Sequence, residues 1–217
     1  RLPATLALAA GGLAVSLAVS RPTGILSACR PHGCADHASQ VVALLGVAMP
    51  NFWLGYLLVF VFSLTLGVTP VYGSGTLGHL LLPSLTLGTG LAAVQTRLLR
   101  ASLRDTLDAE FVTAARTRGL GERLVVYKHA LRNALLPLVT VLGLQLGFLL
   151  NGAVVVEVVF QRPGLGTLLI NAVFDRNYPV VQGVTLLTGV LFVIVNTVTD
   201  LAYEQIDPRI TVGGETA

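Results

Sequence analysis

Two cysteines and two histidines lie close together near the start of the sequence. The nine residues of CRPHGCADH contain Cys29, His32, Cys34 and His37. Thiolate and imidazole groups are preferred ligands of Zn²⁺ and related ions. Because their spacing matches no closed structural zinc site, we predict no metal site, although metal binding by this loop stays open.

The sequence contains no motif for catalysis or for nucleotide binding. A chain that cradles nucleotide phosphates needs a loop of the G-x-x-x-x-G-K-[ST] type, and a metalloprotease needs H-E-x-x-H. Neither pattern occurs, and neither does G-x-S-x-G or a pair of carboxylates inside an apolar run. We therefore expect a protein that is not an enzyme, has no catalytic residues, carries no cofactor and binds no nucleic acid.

Most of the positive charge lies in one short stretch. The chain is 53% hydrophobic and only 12% charged, yet residues 97–132 hold eight of its 14 lysines and arginines. We call this stretch the basic block. Its eight cationic residues are Arg97, Arg100, Arg104, Arg116, Arg118, Arg123, Lys128 and Arg132.

The middle of the basic block has the pattern of a short helix followed by a second one. The i, i+3, i+4, i+7 spacing of one helix face is formed by Phe111, Ala114, Ala115 and Arg118. Gly119 stands where a left-handed residue ends a helix, and a second helix is predicted over about 122–133. The pattern fits a docking surface for an acidic partner and equally a helix that lies on the membrane surface.

Four stretches of the chain are long enough to cross a membrane without formal charge. They are residues 2–20, 38–96 apart from His79, 133–156 and 177–199. About 20 residues at 1.5 Å per residue cross the hydrocarbon core, which is roughly 30 Å thick. The second stretch breaks at GVTPVYGSGTLG, so we interpret it as two spans. A backbone in lipid must satisfy its own hydrogen bonds, so the spans are predicted to be helices.

The predicted fold is an all-α membrane protein, a polytopic bundle of about five transmembrane helices forming one domain over residues 1–217. The predicted spans cover about 3–20, 40–66, 80–100, 134–157 and 181–203. Between them lie a basic loop at about 104–133 and an outer loop at about 158–180. Met49-Pro50 predicts a kink in the second span, since proline removes a backbone donor.

The distribution of lysine and arginine predicts the orientation in the membrane. The basic block, the 21–37 loop and the tail with Arg209 fall on one side, which we assign to the cytoplasm together with the C-terminus. The 67–79 loop has no lysine or arginine and, with 158–180, is assigned to the outside. The chain starts at Arg1 rather than at methionine, so we expect a preceding part to be missing.

The basic block resembles a known signature. TAARTRGL, followed nine residues after Gly119 by HALRNALLP, resembles the EAA loop, the cytoplasmic signature of ABC importer permeases. Thr113 replaces the glutamate of the common form and Arg132 its final proline, as in the dipeptide/oligopeptide/nickel permease family. Further segments resemble that family's landmarks in the same order, namely LLPSLTLG, ASLRDTLDAEFVTAARTRGL, FQRPGLGTLL, DRNYPVVQG and DLAYEQIDPRI. The chain looks like a member that lacks its N-terminal span.

The resemblance implies a membrane-spanning permease subunit of an ATP-driven importer in the bacterial inner membrane, which forms the translocation path for peptides or nickel. Its implied partners are a second homologous permease subunit, ABC ATPase subunits, an external solute-binding protein and the lipid bilayer. The short helix would be a coupling helix that docks on the ATPase. The residues implied at that contact are Phe111, Ala114, Ala115, Arg116, Arg118 and Gly119.

The outer loop holds the remaining candidate residues. Pro163, Gly164 and Gly166 predict a tight turn, and by resemblance this loop would be a gate over the outer mouth; an interfacial helix without a gating role is the alternative. Glu157 lies near the outer end of its span, where it either anchors the helix end or stands at the translocation mouth.

A secondary transporter driven by an ion gradient is the rival function. Such a protein would need a carboxylate or cation site in the middle of the membrane and discontinuous helices. The sequence offers only Pro50 and several glycines as interruptions, so it favours the ATP-driven importer.

Overall fold

The structure, a computed structural model, describes the backbone of residues 1–206 and the side chains of residues 1–149, 151–199 and 201. Arg209 and the C-terminal tail, which the charge pattern assigns to the cytoplasm, lie outside the described residues. Within the described part the regular elements are helices and no strand is formed, as predicted for an all-α protein.

Ten α-helices follow one another along the described chain. They are α1 (Leu2–Cys29), α2 (Cys34–Ala48), α3 (Asn51–Leu58), α4 (Gly78–Leu107), α5 (Glu110–Thr117), α6 (Glu122–Leu124), α7 (Leu131–Ala134), α8 (Leu136–Val159), α9 (Leu165–Phe174) and α10 (Tyr178–Ile206). Two π-helical segments continue this chain of helices, Val59–Thr65 after α3 and Val125–Ala130 between α6 and α7.

The first helix is longer than the span predicted for it at about 3–20. It continues past Arg21 and Pro22 to Cys29, so that the predicted 21–37 loop shortens to four residues before α2. Arg21 is exposed, while Gly24 on the next turn is buried. A single charge on an outward face does not end a helix whose other face is packed, so the uncharged run understates the helix length.

The second predicted span, 40–66, is formed by two helices rather than one. The axis of Cys34–Ala48 and that of Asn51–Thr65 meet at 109°. The bend falls at Met49 and Pro50, where Pro50 in an extended conformation precedes α3. The kink predicted at this dipeptide is thus a sharp corner between two separate helices.

The central helix is α4, which packs against α1 along its length and also against α2, α3 and α8. Among the described residues, α1 and α10 are each long and apolar enough to cross a membrane alone, and the number rises to four when each of two bent pairs counts as one span. Helix α4 has 30 residues but is too polar to pass this test. Neighbouring helices shield α4 from lipid, so α4 needs less apolar surface than an exposed span. The predicted number of five spans is reached only when α4 is counted as one of them.

Small residues bring α1 and α4 into close contact. Gly12, Ser16, Ser20 and Gly24 recur every four residues on the buried face of α1. A Cβ atom added to Gly88 of α4 would lie 2.5 Å from the carbonyl oxygen of Gly12. Close approach of backbones at small residues is the usual way in which helices associate in membranes.

A polar layer separates two apolar cores. Gln95 of α4, which is fully buried, accepts a hydrogen bond from Ser20 at 2.9 Å and donates to Ser16 at 3.2 Å and to Gln145 of α8 at 2.7 Å. On one side lies a core that includes Leu99, Leu103, Val112 and Val125; on the other lies a core that includes Leu8, Leu82, Leu87 and Phe160. We call the first side the basic end of the bundle and the second the opposite end.

Candidate functional site

Helix α5 forms the outer surface of the basic end. It begins after Ala109, carries Glu110 in its first turn and ends at Thr117. Gly119 has a φ of 77°, in the left-handed region that a side chain rarely adopts. Its N–H donates to the carbonyl of Arg116 at 2.9 Å and closes the helix end. This geometry agrees with the helix end expected at Gly119.

The two faces of α5 differ in burial. Val112 is fully buried and Ala115 is 8% exposed, and both pack into the core of the basic end. Phe111, Ala114 and Arg118 are exposed on the other face. Arg116 and Gly119 are also exposed. The residues predicted for docking are therefore divided by the structure, because Ala115 faces this chain's own core.

An exposed ion pair bridges α5 and the helix that follows it. Arg116 donates to the two carboxylate oxygens of Glu122 at 2.8 and 3.2 Å, and more weakly to the carbonyl of Leu107 at 3.4 Å. The hydrogen bonds from Arg116 hold the pKa of Glu122 below its usual range, and the same bonds raise the pKa of Arg116. The pair spans the corner at 118–121 and links α5 to the helix that follows it.

The segment after the corner leads directly into a long apolar helix. The stretch Glu122–Ala134 contains the π-helical segment and meets Leu136–Leu149 at a bend of 47°. Val125 and Ala130 are fully buried in the same core as Val112. One continuous packed path therefore connects α5 with α8.

At the opposite end, Glu157 is fully buried among three helices. Its side-chain oxygens accept hydrogen bonds from the Thr5 hydroxyl at 2.6 Å, the Gly166 N–H at 2.7 Å and the Thr167 N–H at 3.3 Å. The Thr5 hydroxyl oxygen also accepts the Leu165 N–H at 2.9 Å. We call these five residues the Glu157 cluster; they join α1, α8 and the first turn of α9.

The glycines of the predicted turn lie against this cluster. A Cβ atom added to Gly164 would lie 2.1 Å from the Glu157 carboxyl carbon, and one added to Gly166 would lie 2.5 Å from Val154 Cα. Pro163 immediately precedes Gly164 in the short connection between α8 and α9. Glycine is required at both positions because α9 begins in direct contact with the side chain and backbone of α8.

A buried arginine completes the connection between α8 and α9. Arg162 is 5% exposed, and its guanidinium donates to the carbonyl of His79 at 2.9 Å. Burial lowers the pKa of Arg162, and the negative charge of nearby Glu157 opposes that effect. The guanidinium ties the connection between α8 and α9 to the start of α4.

Next to the Glu157 cluster lies a cavity of about 450 Å³ between α8, α9 and α10. Its lining residues are Thr5, Asn151, Val154, Leu165, Gly166, Leu169, Val184, Thr185, Thr188, Gly189, Leu191 and Phe192. None of these side chains carries a charge. The cavity therefore presents an apolar wall with a few hydroxyl and amide groups.

The loop with the two cysteines is organised by an aspartate. Asp36 is buried and accepts hydrogen bonds from Arg100 at 2.7 and 2.8 Å, as well as from the Ser27 hydroxyl. Cys29 and Cys34 are exposed and unpaired. Over the described residues, no group of three or more histidine, cysteine or acidic side chains is close enough to hold a metal ion.

Comparison with protein families shows what these elements belong to. Residues 20–212 match the family described as "Binding-protein-dependent transport system inner membrane component". This chain belongs to that family. The predicted membership in the ABC importer permeases is thus confirmed, and so is the prediction of an all-α membrane protein.

Curated relatives of this permease carry related names. It is 40% identical to the oligopeptide transport system permease protein AppB of Bacillus subtilis, over 97% of this chain and 70% of that protein. It is 48% identical to the glutathione transport system permease protein GsiC of Pectobacterium atrosepticum, over 86% of this chain and 61% of that protein. The relatives are longer than the permease described here.

The fold of the permease is also found in solved structures. A chain of the MetNI methionine ABC transporter in an inward-facing conformation superposes with a TM-score of 0.77 at 19% identity, over 94% of this permease and 93% of that chain. At this identity the likeness concerns the fold alone.

Several residues of the permease escaped prediction from the sequence. Asp36, Gln95 and Arg162 are buried polar groups whose partners lie 64, 50 to 79, and 83 positions away. The sequence does indicate that these residues have partners, because polar and charged residues in an apolar chain are costly unless they are paired. The sequence does not say which partner each of them meets.

Proposed function

We propose that this permease is the membrane-spanning subunit of an ATP-driven importer and that α5 is its coupling helix. The observation that carries the proposal is the division of α5 into two faces. Val112 and Ala115 pack the helix against the bundle, while Phe111, Ala114 and Arg118 are left exposed by this chain. A helix held on one side and bare on the other suits a partner protein.

The proposed partner at α5 is an ABC ATPase subunit. Phe111 is 46% exposed and would fill an apolar groove on that partner, with the small Ala114 allowing close approach. Arg118 would pair with acidic groups beside the groove. Arg116 is engaged by Glu122, so its proposed part is to link α5 to the following helix rather than to bind the ATPase.

Further partners complete the proposed importer. A second, homologous permease subunit would form the other wall of the path, and an external solute-binding protein would deliver the substrate. The basic block and the C-terminus would face the bacterial cytoplasm, in agreement with the positive-inside rule. Pro163, Gly164 and Gly166 would then belong to a gate loop on the outer side, with Glu157 near the translocation mouth.

Peptides are the proposed substrates in preference to nickel. The relatives described above are named for oligopeptide and for glutathione transport. The uncharged lining of the cavity near α9 suits the side chains of a short peptide better than it suits a divalent cation, which prefers charged or imidazole ligands.

Substitution of Ala114 by tryptophan tests the docking assignment. Ala114→Trp should prevent co-purification of the ATPase subunit without changing the yield of the membrane protein, because this side chain points away from the bundle. Val173→Trp is the matched control, since Val173 is 53% exposed on α9 at the opposite end. Normal ATPase binding by Ala114→Trp would remove the docking assignment.

Labelling of single cysteines tests the orientation. Ser74 and Thr117 are both exposed, so each can react when it is replaced by cysteine in a chain without Cys29 and Cys34. An impermeant maleimide applied to intact cells should label the cysteine at 74 only. Labelling at 117 only would invert the proposed topology.

Energisation distinguishes the proposal from the rival ion-gradient transporter. Uptake of a labelled di- or tripeptide into proteoliposomes that hold the complete importer should require ATP in the compartment facing the ATPase and should persist in the presence of an ionophore. Uptake abolished by the ionophore and independent of ATP would establish the rival. ATP-dependent uptake of Ni²⁺ without uptake of the peptide, in the same proteoliposomes, would identify nickel as the substrate instead.

A further inference from the structure

We infer that Glu157 is a positioning residue that makes α9 a rigid extension of α8, so that α9 moves with α8 and against α10. The inferred contribution to transport rests on the proposed importer function, whereas the mechanical connection between the helices does not. Glu157 acts in this assignment through backbone groups of α9 and not through contact with the substrate.

Several hydrogen bonds converge on the Glu157 side chain and its neighbour Thr5. Glu157 accepts two N–H groups from the first turn of α9, and Thr5 accepts a third, from Leu165, while donating its own proton to Glu157. The N–H groups at the start of a helix have no partner within that helix. The cluster satisfies three of them inside an apolar region, where an unsatisfied donor is costly.

The backbones of α8 and α9 are in close contact. Gly166 lies so near to Val154 that even a methyl group would meet the backbone of α8 at 2.5 Å. The connection from Val159 to Leu165 is short and is tied down internally, because the Arg162 N–H donates to the Glu157 carbonyl at 2.8 Å. Helix α9 can therefore neither slide along α8 nor swing away from it without breaking the Glu157 cluster.

The contact of α9 with α10, on its other side, differs from its contact with α8. Among the described residues, no side-chain hydrogen bond joins α9 to α10; the turn between them is closed by the Asn177 N–H, which donates to the Ala172 carbonyl at 2.8 Å. Arg176 in this turn has a φ of 54°. The cavity of about 450 Å³ lies between α9 and α10 and is lined by residues of both helices.

These differences place the mobile boundary between α10 and the pair formed by α8 and α9. A motion that begins at α5 passes through Glu122–Ala134 into α8, and the Glu157 cluster carries it on to α9. The cavity then changes its shape through displacement of α10 relative to the α8 and α9 pair. Thr5 adds α1 to the moving unit, so that the outer end of α1 follows as well.

Distances between spin labels test this assignment in the full complex without reference to transport. One label pair joins Leu144 of α8 to Val173 of α9, and a second pair joins Val173 to Val193 of α10; all three side chains are more than half exposed. In a chain without Cys29 and Cys34, the first pair should give one narrow distance distribution with and without nucleotide. The second pair should shift when nucleotide is added.

Three variants separate the acceptor role from general damage. Glu157→Leu has a similar size and no acceptor, so it should broaden the distribution of the first pair and reduce peptide uptake several-fold. Glu157→Gln keeps one acceptor oxygen for the α9 N–H groups and should restore a narrow distribution. Thr5→Val, which removes the acceptor of the Leu165 N–H, should give an intermediate width. Thr199→Val is the matched control, because the Thr199 hydroxyl bonds the Val195 carbonyl of its own helix and Thr199 does not line the cavity.

The outcomes are distinguishable from those of the proposed function. A narrow distribution in both Glu157→Leu and Thr5→Val would overturn the assignment, and the second of these variants decides the matter if Glu157→Leu does not assemble. A shift of the first pair with nucleotide in the unsubstituted chain would also overturn it. Broadening in Glu157→Leu, in a complex that shows no ATP-dependent uptake even when unsubstituted, would support the connection while refuting the importer function.

Discussion

The helices α5 and α9 are the two short helices at the two ends of the same path through α8, and they are held in different ways. Helix α5 is held by the apolar contacts of Val112 and Ala115 and by the ion pair of Arg116 with Glu122, whose side chains are 41% and 63% exposed. Helix α9 is held by Glu157, which is fully buried, and by a glycine in contact with backbone. One attachment lies at the surface and the other lies within the bundle.

The difference indicates how much adjustment each helix allows. Exposed ion pairs contribute little and are screened by salt, so α5 can change its angle when a partner binds. A buried acceptor with three hydrogen bonds leaves no such freedom, because each donor that it abandons costs about 1–3 kcal/mol. We infer that α5 can adjust to the partner proposed for it, whereas α9 keeps its place on α8.

The largest effect is expected from filling the space at Gly166. Gly166→Val would force a Cβ to within 2.5 Å of Val154 Cα, and overpacking of this kind costs about 3 kcal/mol when backbone must move. We expect a lower melting temperature in detergent and loss of uptake, with ATPase co-purification retained because α5 lies at the other end.

Gly183→Val is the control for that substitution. A Cβ at Gly183 of α10 would meet no atom within 4 Å, so this variant should resemble the unsubstituted chain in melting temperature. Uptake at the normal level by Gly166→Val would reduce the α9 loop to a passive connection. Loss of ATPase binding together with uptake would indicate general misfolding.

A smaller effect is expected from enlarging the buried face of α5. Ala115 is 8% exposed, so Ala115→Trp forces an indole into the core of the basic end. This overpacking should lower the unfolding free energy by about 1–3 kcal/mol. Ala114→Trp, one residue earlier on the exposed face, should change it by no more than about 0.5 kcal/mol. Thermal melts of the two variants, compared with each other, measure the difference between the faces, and equal melting temperatures would contradict it.

The smallest effect is expected at the surface ion pair. Arg116→Gln should increase the mobility of a nitroxide at Thr117 without a measurable loss of stability, and exchange of the two charges, Arg116→Glu with Glu122→Arg, should restore the low mobility. In about 1 M salt the variants should become alike, because the Debye length is then only about 3 Å.

The pH dependence of the same ion pair follows from the lowered pKa of Glu122. Its contribution is present above the unfolded pKa of about 4.3 and is lost as the pH falls through the lower pKa of the folded state. The mobility difference between Arg116→Gln and the unsubstituted chain should therefore persist at neutral pH and vanish in acid. A difference that survives in acid would assign the mobility to packing instead of charge.

Neighbouring residues in the sequence predict α5 well, in contrast to the attachment of α9. The end of α5 follows from Gly119, because a left-handed backbone at a helix end is a property of the glycine itself. The corner and the second helix of the basic block follow from the next few residues. The inward orientation of Ala115 was not predicted, since a face of small residues looks the same whether it meets this chain's core or a partner.

The Glu157 cluster shows the opposite case. The sequence shows Glu157 as a carboxylate near the end of an apolar run and predicts a turn at Gly164 and Gly166. Nothing in the sequence connects them with Thr5, which lies 152 positions away from Glu157. The same holds for the hydrogen bond from Gln95 to Gln145 and for the ion pair of Asp36 with Arg100.

The sequence alone is enough to show that this chain is a helical membrane protein with a basic loop and the signature of its family, because hydrophobic length, charge placement and glycine chemistry act over a few neighbouring residues. The packing of the helices settles which face of α5 is bare, how sharply α2 and α3 turn at Met49 and Pro50, and which donors Glu157 satisfies. Each of these depends on atoms that lie far apart along the chain and meet when the helices pack, and a buried polar group takes whichever partner that packing brings within reach.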